Sequence, residues 1–147
     1  MSKTGYPFEV PIEVTFRDVD AMGHVNNAVF FTFMETARIK YVVNFFDKQA
    51  IELLELDLPL ILVHASCDYK SPALFGETIT VGLGISRFGT KSFDLAYKLV
   101  GENGRLIARG HTVQVMYDYT KRSAFPVTAA VKERVAAFQG DWQPDEA

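Results

Sequence analysis

The sequence predicts an α+β fold in which a curved, nearly all-antiparallel sheet wraps around one long central helix. Three observations carry that expectation. Residues 27–46 place Phe30, Phe33, Met34, Ala37, Tyr41 and Phe45 at spacings of three and four, the period of a helix face. From residue 60 onward the apolar period switches to two through four successive segments. The helix is the only long crossover, so the strands after it meander as antiparallel neighbours, and a sheet of that kind beside one apolar helix curls around it.

The elements follow in order. Residues 8–16, FEVPIEVTF, are rich in β-branched and aromatic side chains and form a first strand, with Pro11 suiting an edge or a bulge. A polar stretch, 17-RDVDAMGHVNNAVFF-31, leads into the helix. Twenty residues of helix, 27–46, would span about 30 Å. Residues 47–56 suggest a short second helix, ended by Pro59. In 60-LILVHASCDYK-70 the odd positions Ile61, Val63, Ala65, Cys67 and Tyr69 make one apolar face. A turn at 71–77 carries Pro72 and Gly76. Strand 77–87 presents Ile79, Val81, Leu83 and Ile85, and its other face holds Gly82 and Gly84, which leave room for a close approach. Strand 91–100 presents Phe93, Leu95, Tyr97 and Leu99. Asn103-Gly104 in 101-GENG-104 signals a hairpin with positive φ, and 105–119 is the last long strand. After Pro126, residues 127–138 give a final helix with Val127, Val131, Val135 and Phe138 on one stripe.

The 147 residues suit one domain, 1–147, with a core that needs no disulfide. The formal charge of −3 argues against a general nucleic-acid binder. One cysteine, Cys67, excludes an internal disulfide. No apolar run is long enough to span a membrane, and the N-terminal residues lack a secretory pattern, so the expected location is the cytoplasm.

The polar stretch carries the chemistry. A helix start leaves about four backbone N–H groups unpaired, and the helix dipole adds partial positive charge there. Such a place can hold an anion or polarise a carbonyl oxygen. Asp20 lies just upstream, placed to act on that carbonyl as base or nucleophile, and Gly23 lets a ligand come close to the backbone. A carboxylate beside polarising amides suits a thioester, whose thiolate leaves easily. The plainer alternative is that Asp20, Asn26 and Asn27 cap the helix and shape the loop.

The run Asp18-Val-Asp20-Ala-Met-Gly23-His24-Val25-Asn26-Asn27, followed by Phe30, Phe33, Glu35, Ala37 and Arg38, resembles the signature of the hotdog-fold acyl-CoA thioesterases of the 4-hydroxybenzoyl-CoA thioesterase class. A second block, 66-SCDYKSPALFGETI-79, and a third, 85-ISRFGTKSFDLAYKL-99, resemble the same family, so the likeness covers roughly residues 10–120. The resemblance implies a hotdog domain that hydrolyses acyl-CoA, with Asp20 as the catalytic carboxylate. The Asn27 backbone N–H would polarise the thioester carbonyl, and Gly23 would be the glycine of close approach. The HVNN form resembles the branch acting on fatty or aromatic acyl groups. Homodimers with the site between subunits, often paired into tetramers, are implied, and no metal or cofactor.

His24 could orient Asp20 or a water, or simply bond to its own loop. The acyl group would lie among Phe30, Phe31, Met34 and Tyr69, with Glu35 either reaching the site or pairing with Arg38. The phosphates of CoA would meet a cationic turn of Arg87, Thr90, Lys91 and Ser92, or a second one at Lys121 and Arg122. His64, with Ser66 and Asp68, lies on the polar face of its strand, and His111 falls with Val113 and Val115. The rival readings are a hotdog module that binds acyl-CoA without hydrolysing it, a hydratase on the same fold and a structural interaction protein. Asp20 favours hydrolysis over the first.

Overall fold

The computed structural model describes residues 2–45 and 58–145. The short helix expected at 47–56 lies outside the described residues. Among the described residues there are six strands: β1 (Phe8–Glu13), β2 (Leu60–Tyr69), β3 (Thr78–Phe88), β4 (Ser92–Val100), β5 (Leu106–Asp118) and β6 (Ser123–Ala124). The described residues also hold two α-helices, α1 (Val29–Val42) and α2 (Ala129–Gln139). The strand order is β1-β3-β4-β5-β2, with β6 on β5, and every pairing is antiparallel. β1 is an edge strand, which accounts for Pro11 opposite Thr80.

The inner face of the sheet follows from register, because residues directly opposite share a face. Ile79, Val81, Leu83 and Ile85 lie with Leu99, Leu95, Tyr97 and Phe93 against α1, and all eight are buried. From α1 come Phe30, Phe33, Met34, Ala37, Tyr41 and Val42. Gly110 of β5 lies beneath Met34, whose sulfur occupies the space a Cβ would need. The helix therefore sits close on the sheet.

Two expectations are corrected. The helix has 14 residues and is followed, up to the last described residue of this segment, by a 3₁₀ turn, Val43–Phe45. It starts at Val29 because the Asn26 side chain and carbonyl accept the N–H groups of Ala28 and Val29, forming a turn first. Its length is about 21 Å. In β2 the register shifts between Leu62 and His64, a bulge at Val63. Leu60 and Leu62 pair with Met116 and Gln114 on the inner face, whereas Ile61 pairs with Val115 on the outer one. The expected odd-numbered inner face holds only from Ala65 to Tyr69.

The outer face beside β3 is covered by both chain ends. Side chains of Thr4, Pro7 and Trp142 fill the space above Gly82 and Gly84. Trp142 donates to the Gly5 carbonyl at 3.1 Å and its ring lies 4.7 Å from that of Tyr6. Asp145 bonds to Lys98 at 2.9 Å and to Arg109 at 3.0 Å. Arg109 and Lys98 hold the Asp145 carboxyl well below the usual carboxylate range, against the opposing effect of burial. A carboxyl depressed in the folded state stabilises above its unfolded pKa and loses that contribution as pH falls. Acid should therefore release the C-terminal segment first. Trp142 is the single tryptophan, so its fluorescence should change below about pH 4, and Asp145→Asn should show the acid signal already at neutral pH. A transition unaffected by that variant would remove Asp145 from this role.

Candidate active site

The polar stretch folds as a tight turn pinned to a neighbouring loop. Asp20 N–H donates to the His24 carbonyl at 2.8 Å, and Gly23 N–H returns to the Asp20 carbonyl at 3.0 Å. Gly23 has a φ of 80°, which accounts for its identity. Val25 N–H donates to the Ala73 carbonyl, and His24 bridges to Leu74. That loop is held in turn by Glu77, whose buried carboxylate accepts from Leu74 and Glu102 N–H groups and pairs with Arg105 at 2.8 Å. Asp18 is occupied locally: its carboxylate accepts from the Thr15 N–H at 2.8 Å and hydroxyl at 3.0 Å.

Asp20 is exposed, and its carboxylate accepts the Met22 N–H at 2.9 Å through Oδ1. No other hydrogen bond engages the carboxylate among the described residues. At the mouth of α1, the Ala28 N–H donates to Asn26 Oδ1 and the Asn26 N–H to the Asp18 carbonyl, both at 2.9 Å, while the Asn27 N–H has no partner among the described residues. The Asn27 carbonyl accepts from the Tyr69 hydroxyl at 2.7 Å. Burial, then the neighbouring Cys67 thiol, raise the Tyr69 pKa, so this donor stays protonated. Tyr69 also meets Phe30 edge to face at 5.3 Å. Cys67 is an inert thiol, pushed up to about 11 by burial.

These groups line one cleft of about 440 Å³, formed by Asp20, Met22, His24, Val25, Asn26, Asn27, Phe30, Tyr69, Lys70, Ser71 and Pro72. A carboxylate, an unpaired amide N–H and an aromatic wall thus share one space. Sequence reasoning misses Lys70 and Ser71, although they stand in the block 66–79 beside Tyr69. Lys70 supplies a cation at the cleft, and Ser71 is anchored by donating to the Leu106 carbonyl at 2.7 Å.

Other expected site residues lie elsewhere. Phe31, Met34 and Glu35 line a separate cavity of about 120 Å³ on the β2 side of α1, with Arg38, Leu62, Ala65 and Thr112. Glu35 stands 3.7 Å from Arg38, the helical pairing that was the alternative. Gly23 does not line the cleft. Arg87 pairs with Asp94 at 3.5 Å, and the Thr90 and Lys91 carbonyls accept from Val127 and Met116. Their turn lies at the far end of the sheet: Ser92 is level with Val115 and Ile61, whereas Tyr69 is level with Ala108. Seven residues of β5, from Ala108 to Val115, separate the two ends, about 23 Å. One chain alone does not bring Arg87, Thr90, Lys91 and Ser92 to the cleft.

Comparison with known proteins agrees with this fold. Residues 14–135 match the family model of the thioesterase-like superfamily. A thioesterase from Thermus thermophilus, solved in complex with coenzyme A and Zn, is 32% identical, with 92% of this chain and 96% of that one covered and a TM-score of 0.80. A 1,4-dihydroxy-2-naphthoyl-CoA thioesterase from Synechocystis is 26% identical over 88% of this chain and 95% of its own, with a TM-score of 0.74. A 1,4-dihydroxy-2-naphthoyl-CoA hydrolase from Crocosphaera subtropica is 25% identical over 134 residues, covering 87% of this chain and 95% of that protein. The curled antiparallel sheet with α1 against it is the hotdog architecture of these neighbours. No helix among the described residues is long and apolar enough to cross a membrane. The chain belongs to the thioesterase-like superfamily and is by that membership a thioester hydrolase.

Proposed function

We propose that the protein hydrolyses a fatty or aromatic acyl-CoA to the free acid and CoA, with the chemistry centred on Asp20. The observation that carries this reading is the meeting of the Asp20 carboxylate and the unpaired Asn27 N–H in one cleft at the start of α1. The N–H, helped by the helix dipole, polarises the thioester carbonyl. Asp20 either attacks the carbonyl carbon or takes a proton from an attacking water. When Asp20 attacks, its oxygen bonds to the acyl carbon as the carbon–sulfur bond breaks, and water then hydrolyses the mixed anhydride to the free acid and restores the carboxylate. When Asp20 acts as base, water itself adds to the acyl carbon. In both routes the CoA thiolate leaves and takes a proton that comes from water. His24 borders the same space and is placed to orient the water. Phe30 and Tyr69 form the wall for the acyl group.

The working unit is proposed to be a cytoplasmic homodimer, or a tetramer of two such dimers. β2 is a ten-residue edge strand, and Ile61, Leu62, Val63 and Tyr69 are exposed on it. Unprotected apolar edges are places of strand pairing. Antiparallel pairing of β2 with β2 of a second copy would lay the Leu60 end of one chain beside the Tyr69 end of the other. The Arg87–Ser92 turn of the second copy would then approach the cleft, where it suits the phosphates of CoA. Phe31, Met34 and Glu35, facing the open β2 side of α1, would border the acyl group from there.

Turnover of a panel of acyl-CoA esters, followed by thiol release, tests the activity. Reversing charge at Arg87 and Lys91 together should raise KM about tenfold or more and change kcat little. An unchanged KM would remove that turn from CoA binding.

A further inference from the structure

On the face of the sheet turned away from α1, four strands bring together a histidine pair that the proposed hydrolysis does not use. His111 of β5 stands beside His64 of β2, their ring centres 5.3 Å apart and their planes inclined by 53°. Asp94 of β4 meets His111 from the other side, with Oδ2 2.8 Å from Nε2. Asp94 is buried and paired with Arg87 of β3 at 3.5 Å, so it is fixed in place. Asp94 and His64 are both level with Val113, and His111, two residues along β5 on the same face, meets each of them diagonally.

We propose that His64 and His111 form a binding site for one divalent transition-metal ion of the Zn²⁺ or Ni²⁺ type, with Asp94 as the carboxylate behind His111. Two imidazoles on one tetrahedral ion, with metal–nitrogen bonds of about 2.1 Å, hold their ring centres about 5.2 Å apart. The observed separation matches that bite. The Asp94 contact keeps the His111 proton on Nε2 and leaves the Nδ1 lone pair for the ion, the arrangement in which a carboxylate orients a metal-binding histidine. Among the described residues neither ring nitrogen of His64 has a hydrogen-bond partner. The His111 side chain is 43% exposed and His64 is exposed, so water completes the coordination. No group of three or more His, Cys, Asp or Glu ligands gathers among the described residues, which makes this a two-ligand site of modest affinity. Imidazole ligands suit Zn, Ni and Cu over Mg or Ca.

The test uses tag-free full-length protein titrated with Zn²⁺ against a chromophoric chelator, together with NMR of the imidazole resonances. The chain has three histidines, so the spectrum is simple to assign. One Zn²⁺ per chain should bind and shift the His64 and His111 resonances while leaving His24 in place. His64→Ala and His111→Ala should each weaken binding tenfold or more, and Asp94→Asn about tenfold. Mg²⁺ should not compete. Equal Zn²⁺ affinity in the wild type and in a variant carrying both His64→Ala and His111→Ala, or a shift at His24 alone, would overturn the proposal. The proposal does not rest on the hydrolysis reading, because the pair lies on the opposite face of the sheet from the cleft.

Discussion

Replacing Asp20 with Asn should lower kcat by about 10²–10⁴-fold, the range that a positioned acid–base group supplies. The variant is informative because it keeps the fold. Asp20 is exposed, and among the described residues its Oδ1 accepts only the Met22 N–H, a bond that an asparagine oxygen can also make. What is lost is the charge that attacks the thioester or draws a proton from water. KM should change little, since the acyl wall of Phe30 and Tyr69 is untouched. A variant that retains the full rate would show that Asp20 is only a turn residue.

The second large effect concerns the β2 edge. Placing lysines at Ile61 and Val63 should convert the proposed dimer to a monomer in sedimentation, because charge on an edge strand prevents pairing. Both side chains project away from the inner face or into the bulge, so the core of one chain should stay intact, which circular dichroism would check. Activity should fall about a hundredfold or more, the scale seen when a positioning element is displaced from a reacting centre. The reason is that the Arg87–Ser92 turn is about 23 Å from the cleft of its own chain, so in the proposed dimer it would serve the neighbour's. A monomer with full activity would contradict the shared site.

Much of the architecture is legible in the sequence where local chemistry and tertiary packing agree. The alternation Phe93, Leu95, Tyr97, Leu99 is the inner face of β4, and Asn103-Gly104 adopts φ values of 68° and 73° at its hairpin. Gly82 and Gly84 do admit close neighbours, namely the two chain ends. The stripe of the last helix holds for Val131 and Val135, whereas Phe138 is half exposed. Alternation fails at Val63, because a bulge changes the phase of a strand without any residue type that announces it. The helix is shorter than its apolar pattern because Asn26 diverts the first N–H groups into a turn, a competition between side chain and helix that spacing alone does not reveal.

The cleft shows the same division. Asp20, His24, Asn27, Phe30 and Tyr69 come from two segments far apart in sequence and meet in one space. The polar stretch and the block 66–79, each readable by itself, point to that meeting. The distribution of the remaining residues is not readable in the same way. Phe31 follows Phe30 directly, yet a step of about 100° around the helix puts it on another side. The cationic turn is far from the cleft of its own chain because the strands run antiparallel over their full length, and only a second copy would close that distance.

Thiol release from a panel of fatty and aromatic acyl-CoA esters, measured beside direct binding of the same esters, tests the central claim most directly. The expected result is stoichiometric CoA release from at least one ester by the wild-type protein, with Asp20→Asn binding that ester and failing to turn it over. Tight binding of CoA esters with no release from any of them would contradict hydrolysis and identify the cleft as a sensor of acyl-CoA.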